Sequence, residues 1–272
     1  MFVPERPPTS FNGHGLSARL ARRFAPEQIA RTNADIARLV IGASHFVRGT
    51  HFTVIAPADL SRMFDLYDGA YFDGQLRHTV NEKAGGRLGF RLAPRMTRAG
   101  GKTFRVRRPI RRGLTKTTET SYEIAISSRL LFLSFDDASR PATVCGVPCA
   151  DRLSALQRIM EHEMLHLAEM LVWDRSSCTA ERFKTMSRNL FGHAASTHEL
   201  ITPAERAVAK FDLRIGDAVT FTFDGRTLRG MLNRINRRAT VLVESPAGQR
   251  YTNGRRYEKF YIPLGMLKKS DA

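Results

Sequence analysis

Residues 151–172, DRLSALQRIMEHEMLHLAEMLV, form the stretch that decides the fold. Apolar residues recur in it at helical spacing and predict a helix from Asp151 to about Val172. The broad apolar stripe of this helix consists of Leu153, Leu156, Ile159, Met160, Leu167, Met170 and Leu171. No other part of the chain predicts its secondary structure as strongly.

His162, Glu163 and His166 form an H-E-x-x-H pattern on the predicted helix. Residues four apart on an α-helix lie about 40° apart around its axis, so both histidines can direct ring nitrogens at one point. Glu163 projects about 100° away and could reach a water on a metal there, as a general base does. Zinc suits two imidazoles best, whereas two ordinary surface or core histidines are the alternative interpretation.

A zinc site needs a third ligand, and the residues after His166 leave several candidates. The metzincin continuation is excluded, because Glu169 and Val172 occupy the positions where that class has Gly and His. Cys178 is favoured, because a thiolate is a strong zinc ligand and this residue precedes a helix predicted from about Ala180 to Leu190. Less favoured candidates are Glu181 and His193, and His198 is a further alternative if Cys178 is not a ligand.

Charge is the strongest feature of the composition. The 272 residues include 43 Lys and Arg against 26 Asp and Glu, which gives a formal net charge of +17. Between Ala84 and Thr118 eleven residues are basic and none is acidic. A polyanion is the natural partner of such a segment, and a solvated basic face without a partner is the alternative.

The chain lacks the sequence features of a membrane or exported protein. No stretch approaches the roughly 18 consecutive apolar residues of a membrane span, and MFVPERPPTS does not resemble a signal peptide. We expect the protein to reside in the cytoplasm, where it could also associate with the nucleoid. Three cysteines argue against a disulfide framework. Cys145 and Cys149 are interpreted as buried small residues, and His198 as a structural residue.

The chain divides into three predicted parts, and the fold class is α+β. Residues 1–50 are expected to form an N-terminal extension with a helix, and residues 51–200 a domain of helices and a small sheet. Residues 204–272 predict four or five short strands, with Asp224-Gly225 as a hairpin turn. A small closed barrel is expected there, since an open sheet of that size would leave its edges exposed.

Periodicity also predicts several shorter elements. Two amphipathic helices are expected, around Pro26–Leu39 and over Ala58–Ala70. After the turn at Asp73-Gly74 the pattern changes to short extended runs, RLGFRL, KTFRVR and YEIAIS, which predict strands.

Several stretches resemble the SprT-like family, which includes the Spartan proteases that degrade DNA-bound and crosslinked proteins. In order they are YDGAYFDGQL, PRMTRAGGKT, YEIAISSRLL, EHEMLHLAEM and RFKTMSRNLFGHAASTHEL, and they cover roughly half of the chain. The resemblance implies a zincin-like minimal metalloprotease domain. It also implies one zinc ion per chain, with His162 and His166 as ligands and Glu163 as the general base.

The chain departs from the family pattern at two points. The family has a third His in a His-Gly-x-x-Phe context, whereas this chain has SSCT ahead of Phe183, so Cys178 is the expected substitute. A thiolate makes zinc-bound water less acidic and is common at structural sites. The chain also lacks the four-Cys zinc ribbon of many relatives, and IGDAVTFTFDGRTLRGMLNRINRRATVLVE resembles SH3-like or KOW-type barrels instead.

Two functions from different classes are therefore expected. The first is a zinc-dependent endopeptidase of DNA-associated or DNA-crosslinked proteins, and the alternative is a nucleic-acid-binding protein with a structural zinc. The expected partners are DNA, or else RNA, and proteins bound to it; a monomer is assumed. A protein-binding adaptor that uses the barrel is a weaker third choice.

The residues expected to contact nucleic acid are the basic side chains Arg95, Arg98, Lys102, Arg105, Arg107, Arg108, Arg234, Arg237 and Arg238. The tyrosines available for stacking on bases are Tyr251, Tyr257 and Tyr261.

Overall fold

The computed structural model describes residues 15–112, 115–136, 141–236 and 238–270. The elements up to residue 200 are α1 (Gly15–Leu20), α2 (Pro26–Ala43), α3 (Pro57–Phe72), α4 (Gln75–Ala84), β1 (Leu88–Leu92), β2 (Gly101–Arg112), β3 (Thr115–Ile126), α5 (Ser128–Leu133), β4 (Ala142–Val144), β5 (Val147–Cys149), α6 (Arg152–Trp173), α7 (Glu181–Phe191) and β6 (His198–Glu199). The elements that follow are α8 (Pro203–Phe211), β7 (Ala218–Phe223), β8 (Arg226–Ile235), β9 (Ala239–Arg250), β10 (Arg256–Ile262), a 3-10 turn (Leu264–Met266) and β11 (Lys268–Lys269). The chain is thus α+β, as predicted.

None of the helices in the described ranges is both long enough and apolar enough to cross a membrane.

Helix α6 confirms the strongest sequence prediction to within a residue at each end. Its first turn is capped by Asp151, whose carboxylate accepts a hydrogen bond of 2.7 Å from the backbone N–H of Ser154. The helix contacts α3, α7 and β2. Its residues Ile159, Met164 and Leu167 are fully buried, so most of its surface faces other parts of the chain.

The strands predicted between residues 87 and 127 form a three-stranded sheet in the order β1-β3-β2. β1 runs parallel to β3, with Leu88 opposite Tyr122, and β2 runs antiparallel to it, with Gly101 opposite Ile126. β2 is therefore an edge strand, and it is also the strand that contacts α6 most closely.

The turn at Asp73-Gly74 is followed by a helix before any strand, which corrects the predicted change to extended structure. Asp68 accepts hydrogen bonds from the backbone N–H groups of Leu76 (2.9 Å) and Arg77 (2.8 Å), two amides that the first turn of α4 leaves unpaired. Leu76 and Val80, four residues apart, are both fully buried. The sequence did not predict α4 for two reasons. A helix this short gives only a weak periodic signal, and Asp68, the residue that caps it, lies in the preceding helix α3.

The described part of the N-terminal region packs into the same core as α3 and α6. Its contributions to that core are Leu16, Leu20, Ile36, Val40 and Val47. The buried Asn33 of α2 also joins the other two helices, since its Oδ1 accepts from the Tyr67 hydroxyl and its backbone oxygen accepts from Gln157 Nε2, both at 2.8 Å.

A buried ion network ties the end of α7 to α6. The Glu161 carboxylate is fully buried and lies 2.9 Å from Arg158 Nη1 and 2.7 Å from His193 Nε2. Burial alone would raise the pKa of Glu161, but Arg158 and His193 outweigh it, so the pKa is lowered. The charged carboxylate is thus matched by partners on its own helix and just beyond α7.

Residues from 203 onward form a second core under one antiparallel sheet in the order β10-β9-β8-β7-β11. The predicted hairpin turn is confirmed: Asp224 and Gly225 have φ of 49° and 72° and join β7 to β8. Two positive φ values suit a two-residue hairpin loop. Each strand of this sheet pairs with the next one in that order. Closure of the sheet into an SH3-like barrel stays a prediction.

Candidate metal centre

His162 and His166 direct their rings at one point on α6. Their Nε2 atoms lie 3.1 Å apart. In a tetrahedral zinc site with N–Zn distances of about 2.0–2.1 Å, two imidazole nitrogens lie about 3.3 Å apart. The spacing of the two rings therefore fits a shared metal ion.

Cys178 joins the two histidines from the loop between α6 and α7. One ligand atom of each of His162, His166 and Cys178 lies within 4.8 Å of the other two. Nitrogen and thiolate ligands in this number suit zinc among the common metals. The structure thus brings together the three residues that the sequence favoured, as a group that could hold a metal ion.

A hydrogen-bonded chain orients the His166 ring. The buried Glu169 carboxylate accepts from Ser176 Oγ at 2.7 Å, and Ser176 Oγ lies 2.6 Å from His166 Nδ1. Because the serine proton points to Glu169, Ser176 Oγ accepts from His166 Nδ1–H. This places the ring proton on Nδ1 and leaves Nε2 free to bind a metal.

Glu169 also holds the loop that contains the ligand thiol. It accepts from the backbone N–H of Ser177 at 3.1 Å and from Arg182 Nε at 2.8 Å. One buried carboxylate therefore fixes both a metal-binding ring and the residue next to Cys178.

Cys145 lies against the other nitrogen of His162, with Sγ 3.5 Å from Nδ1. It occupies the tight turn between β4 and β5, where Cys145 and Gly146 have φ of 54° and 74°. Burial raises the pKa of the Cys145 thiol well above its usual value, so the sulfur is uncharged there. Cys145 and Cys149 are both buried, as the sequence predicted.

Glu163 lies beside the histidines and is held by the edge strand β2. Thr103 Oγ1 lies 2.7 Å from Glu163 Oε2 and 2.9 Å from its backbone oxygen. A Cβ atom at Gly101 would lie 2.7 Å from Oε1 of the same carboxyl, so only glycine lets the strand approach this closely. Burial raises the pKa of Glu163 to about 8, although Thr103 lowers it in part. A bound cation would lower it further.

His198 reaches the same site from β6; the sequence favoured a structural role for it, with metal ligation as the alternative. Its ring centroid lies 4.6 Å from that of His162, and the ring planes make an angle of 72°. His198, His162 and Cys145 form a second group whose ligand atoms lie within 4.8 Å of one another. Burial lowers the pKa of His198 to about 4, so its ring is neutral.

Most of these groups line one cleft of about 550 Å³. His162, Glu163, His166, Cys178 and His198 are among its lining residues. The basic residues Arg98 and Lys102 also line it.

The two less favoured ligand candidates lie elsewhere. His193 faces the buried Glu161, not the pair of histidines. Glu181 is exposed at the start of α7, where its Oε1 accepts from Thr185 Oγ1 at 3.5 Å. Neither belongs to a described group of potential metal ligands. Cys178 lies in the loop before α7 and lines the cleft, whereas Glu181 and His193 are not among the described residues that line it.

The predicted nucleic-acid contacts in the first basic segment separate into two sets. Arg105 and Arg107 both pair with Asp174, the latter at 2.7 Å, so the fold supplies an acidic partner that the local sequence lacks. The exposed side chains with no ion pair to a described residue are Arg95, Arg98, Lys102 and Arg108.

In the second part of the chain, Arg234 and Arg238 are exposed at the junction of β8 and β9, whereas Arg237 lies outside the described residues. Of the three tyrosines expected to stack on bases, Tyr261 is 60% exposed. Tyr257 is buried, and its ring packs edge-on against Tyr251 at 5.3 Å. Tyr257 is therefore part of the fold, which corrects that expectation.

Comparison of the chain with known protein families, with curated proteins and with solved structures gives no match.

Sequence reasoning missed four residues that complete the site, Thr103, Cys145, Glu169 and Ser176, and named His198 only as a fallback ligand. Only Glu169 had a local signal, since a carboxylate three residues after His166 lies on the same helical face. Thr103, Cys145 and His198 come from β2, the β4–β5 turn and β6, and no local pattern relates those segments to α6.

Replacing Cys178 by Ala should abolish stable metal binding. We expect about one zinc per chain in the unmodified protein and a loss of most of it from Cys178→Ala after dialysis, because only two ligands remain. Elemental analysis measures the ratio. Glu181→Ala is the matched control and should keep its zinc; a Cys178→Ala protein that keeps a full zinc ion would show that the thiol is not a ligand.

Removing the Ser176 hydroxyl should weaken metal binding without removing a ligand. We expect Ser176→Ala to lower zinc affinity about 10- to 100-fold, because His166 loses the partner that fixes its ring proton. Competition with a chromophoric chelator gives the affinity. Ser177→Ala, one residue away with its hydroxyl on Thr179, should bind zinc like the unmodified protein, and equal affinities for the two variants would contradict the role given to Ser176.

Proposed function

We propose that this protein is a zinc-dependent endopeptidase of the SprT-like type that acts on DNA-associated or DNA-crosslinked proteins. The observation that supports this best is the position of Glu163, whose carboxyl lies in the cleft beside the group of His162, His166 and Cys178. A purely structural metal site has no need of an acid–base group at that point.

The residues present fit one zinc ion per chain. His162, His166 and Cys178 would hold it, with the rings oriented by Cys145 and by Ser176. Bound there, zinc would supply Lewis-acid polarisation of a carbonyl and lower the pKa of a coordinated water. Three protein ligands leave a fourth position of a tetrahedral site open, as catalytic sites require.

Glu163 is placed to move a proton. Its Oε2 is held by the Thr103 hydroxyl, and the Thr103 backbone also hydrogen-bonds the carboxyl. The carboxylate takes the proton of the attacking water and returns it to the leaving amine of the cleaved peptide. Its buried position excludes bulk water from this exchange, since the residue is only 2% exposed.

Uncompensated positive charge beside the cleft supports a substrate that is associated with nucleic acid. Arg98 and Lys102 line the cleft, and Arg95 is an exposed residue of the same basic segment. Exposed arginine and lysine side chains attract the phosphates of nucleic acid whatever the base sequence. DNA bound along them would bring the proteins attached to it close to Glu163.

The resemblance stated above supplies the finer parts of this proposal. It assigns residues 51–200 to a zincin-like domain and residues 204–272 to a small SH3-like barrel. We also propose that the protein is a monomer that resides in the cytoplasm or associates with the nucleoid.

Replacing Glu163 by Gln should abolish proteolysis and leave binding intact. We expect cleavage of a protein crosslinked to DNA to fall at least 10³-fold, because the amide cannot take a proton from water. Gel analysis of the crosslinked substrate measures the rate, and elemental analysis should find zinc unchanged.

Glu82→Gln, an exposed carboxylate on α4, is the matched control and should cleave at the normal rate. Two results would reject the proposed activity: no cleavage by the unmodified zinc-loaded protein with DNA present, or cleavage that survives Glu163→Gln.

A second candidate function is nucleic-acid binding with a structural zinc, and one observation in the second part of the chain favours it. Thr240 of β9 lies opposite Tyr261 of β10 and Arg234 of β8. Directly opposed residues of antiparallel strands project to the same face of the sheet. An exposed tyrosine and an exposed arginine therefore flank one threonine, an arrangement that suits a base and its phosphate.

Binding to single-stranded DNA should depend on salt and on this row of side chains. We expect Tyr261→Ala to weaken binding by about 1–3 kcal/mol through lost stacking, and Arg234→Ala to lower the slope of log K against log salt by about one. Fluorescence anisotropy at several salt concentrations measures both. Phe46→Ala, an exposed aromatic residue of the first part, is the control; absence of binding at low salt would reject this candidate.

A further inference from the structure

One side chain in the cleft has no partner that explains its position. The Nε2 atom of His198 is buried and forms no hydrogen bond to a described residue. A buried polar atom without a partner is costly, so such an atom usually marks a place where a ligand or substrate supplies the partner.

The backbone holds His198 in place. Val144 of β4 pairs with His198 of β6, and the backbone N–H of Cys145 donates to the Thr197 oxygen at 2.8 Å. The Ala195 N–H donates in return to the Cys145 oxygen at 3.0 Å. The turn is packed so closely that a Cβ atom at Gly146 would lie 2.8 Å from the Ala195 nitrogen.

His198 and Glu163 flank the same short piece of backbone. A Cβ atom at Gly100 would lie 2.9 Å from His198 Nδ1, and one at Gly101 would lie 2.7 Å from Glu163 Oε1. Two consecutive glycines at the start of β2 thus separate an imidazole from the proposed general base. Both groups line the same cleft.

His198 is not one of the three proposed ligands and shares only His162 with their group. The group formed by His162, His166 and Cys178 within 4.8 Å does not include His198, which groups with His162 and Cys145. A ring next to the metal position, outside its ligands, is where a hydrogen-bond donor to a reacting carbonyl belongs.

We propose that His198 is a catalytic residue whose ring N–H donates a hydrogen bond to the substrate carbonyl oxygen as that oxygen becomes an oxyanion. This inference rests on the proposed function. The bond is stronger in the transition state than in the bound substrate, because charge develops on the oxygen only there. His198 therefore contributes to kcat more than to KM.

The test uses the full-length, zinc-loaded protein with His198→Ala and His198→Gln. We expect His198→Ala to lower kcat about 10²- to 10³-fold, as for loss of one oxyanion donor, with KM changed less than about threefold and zinc content unchanged. His198→Gln, which retains an N–H donor, should recover part of the rate. His45→Ala, an exposed histidine, should match the unmodified protein.

A binding measurement that needs no catalysis distinguishes a failure of this inference from a failure of the proposed function. A phosphinic peptide has a tetrahedral anionic centre that resembles the transition state, and calorimetry measures its affinity. We expect His198→Ala to bind it about 10²-fold more weakly than the unmodified protein does. This comparison holds even where the unmodified protein fails to cleave DNA-bound proteins, a result that would reject the proposed function alone.

Two results would overturn the role given to His198. Loss of zinc from both variants would make the residue a metal ligand. Unchanged kcat and unchanged phosphinic peptide affinity in His198→Ala would make it a structural residue.

Discussion

Burial of helix α6 is the constraint on which the rest of the structure depends. The helix is enclosed by other elements, and yet some of its buried residues are polar. Glu161, His162, Glu163 and Glu169 are each at most 4% exposed. A buried polar group must find a partner, or its desolvation destabilises the fold by several kcal/mol. The surrounding elements are arranged so that the three carboxylates have such partners.

The three buried carboxylates illustrate how environment gives one residue type different roles. Glu161 is surrounded by Arg158 and His193, and its pKa is lowered. Glu163 is fully buried with hydrogen bonds from Thr103 but no ion pair to a described residue, and burial raises its pKa to about 8. The first carboxylate is therefore a fixed charge that joins helices, whereas the second can exchange a proton near neutral pH.

The fold gives some of the basic side chains an acidic partner and leaves others without one among the described residues. Arg87 and Arg91 belong to a segment without acidic residues, but β3 places Glu119 and Glu123 beside them, at 3.3 and 2.9 Å. Positive charge that remains without a described acidic partner includes Arg98 and Lys102 at the cleft. Net charge alone indicates a polyanionic partner, and only the pairing pattern shows which basic side chains face the candidate site.

The sequence by itself determined the helix α6, the pair of histidines on one of its faces, and the position of Glu163 between them, because helical geometry is local and its period is visible in the residues. It also indicated Cys178, because a thiolate is a strong zinc ligand and this residue lies just ahead of the next helix. The tertiary structure alone decided that His193 pairs with a buried carboxylate and that His198 enters the cleft. Both lie beyond α7, and their placement depends on strand pairing and core packing between segments far apart in the chain, which no local pattern encodes.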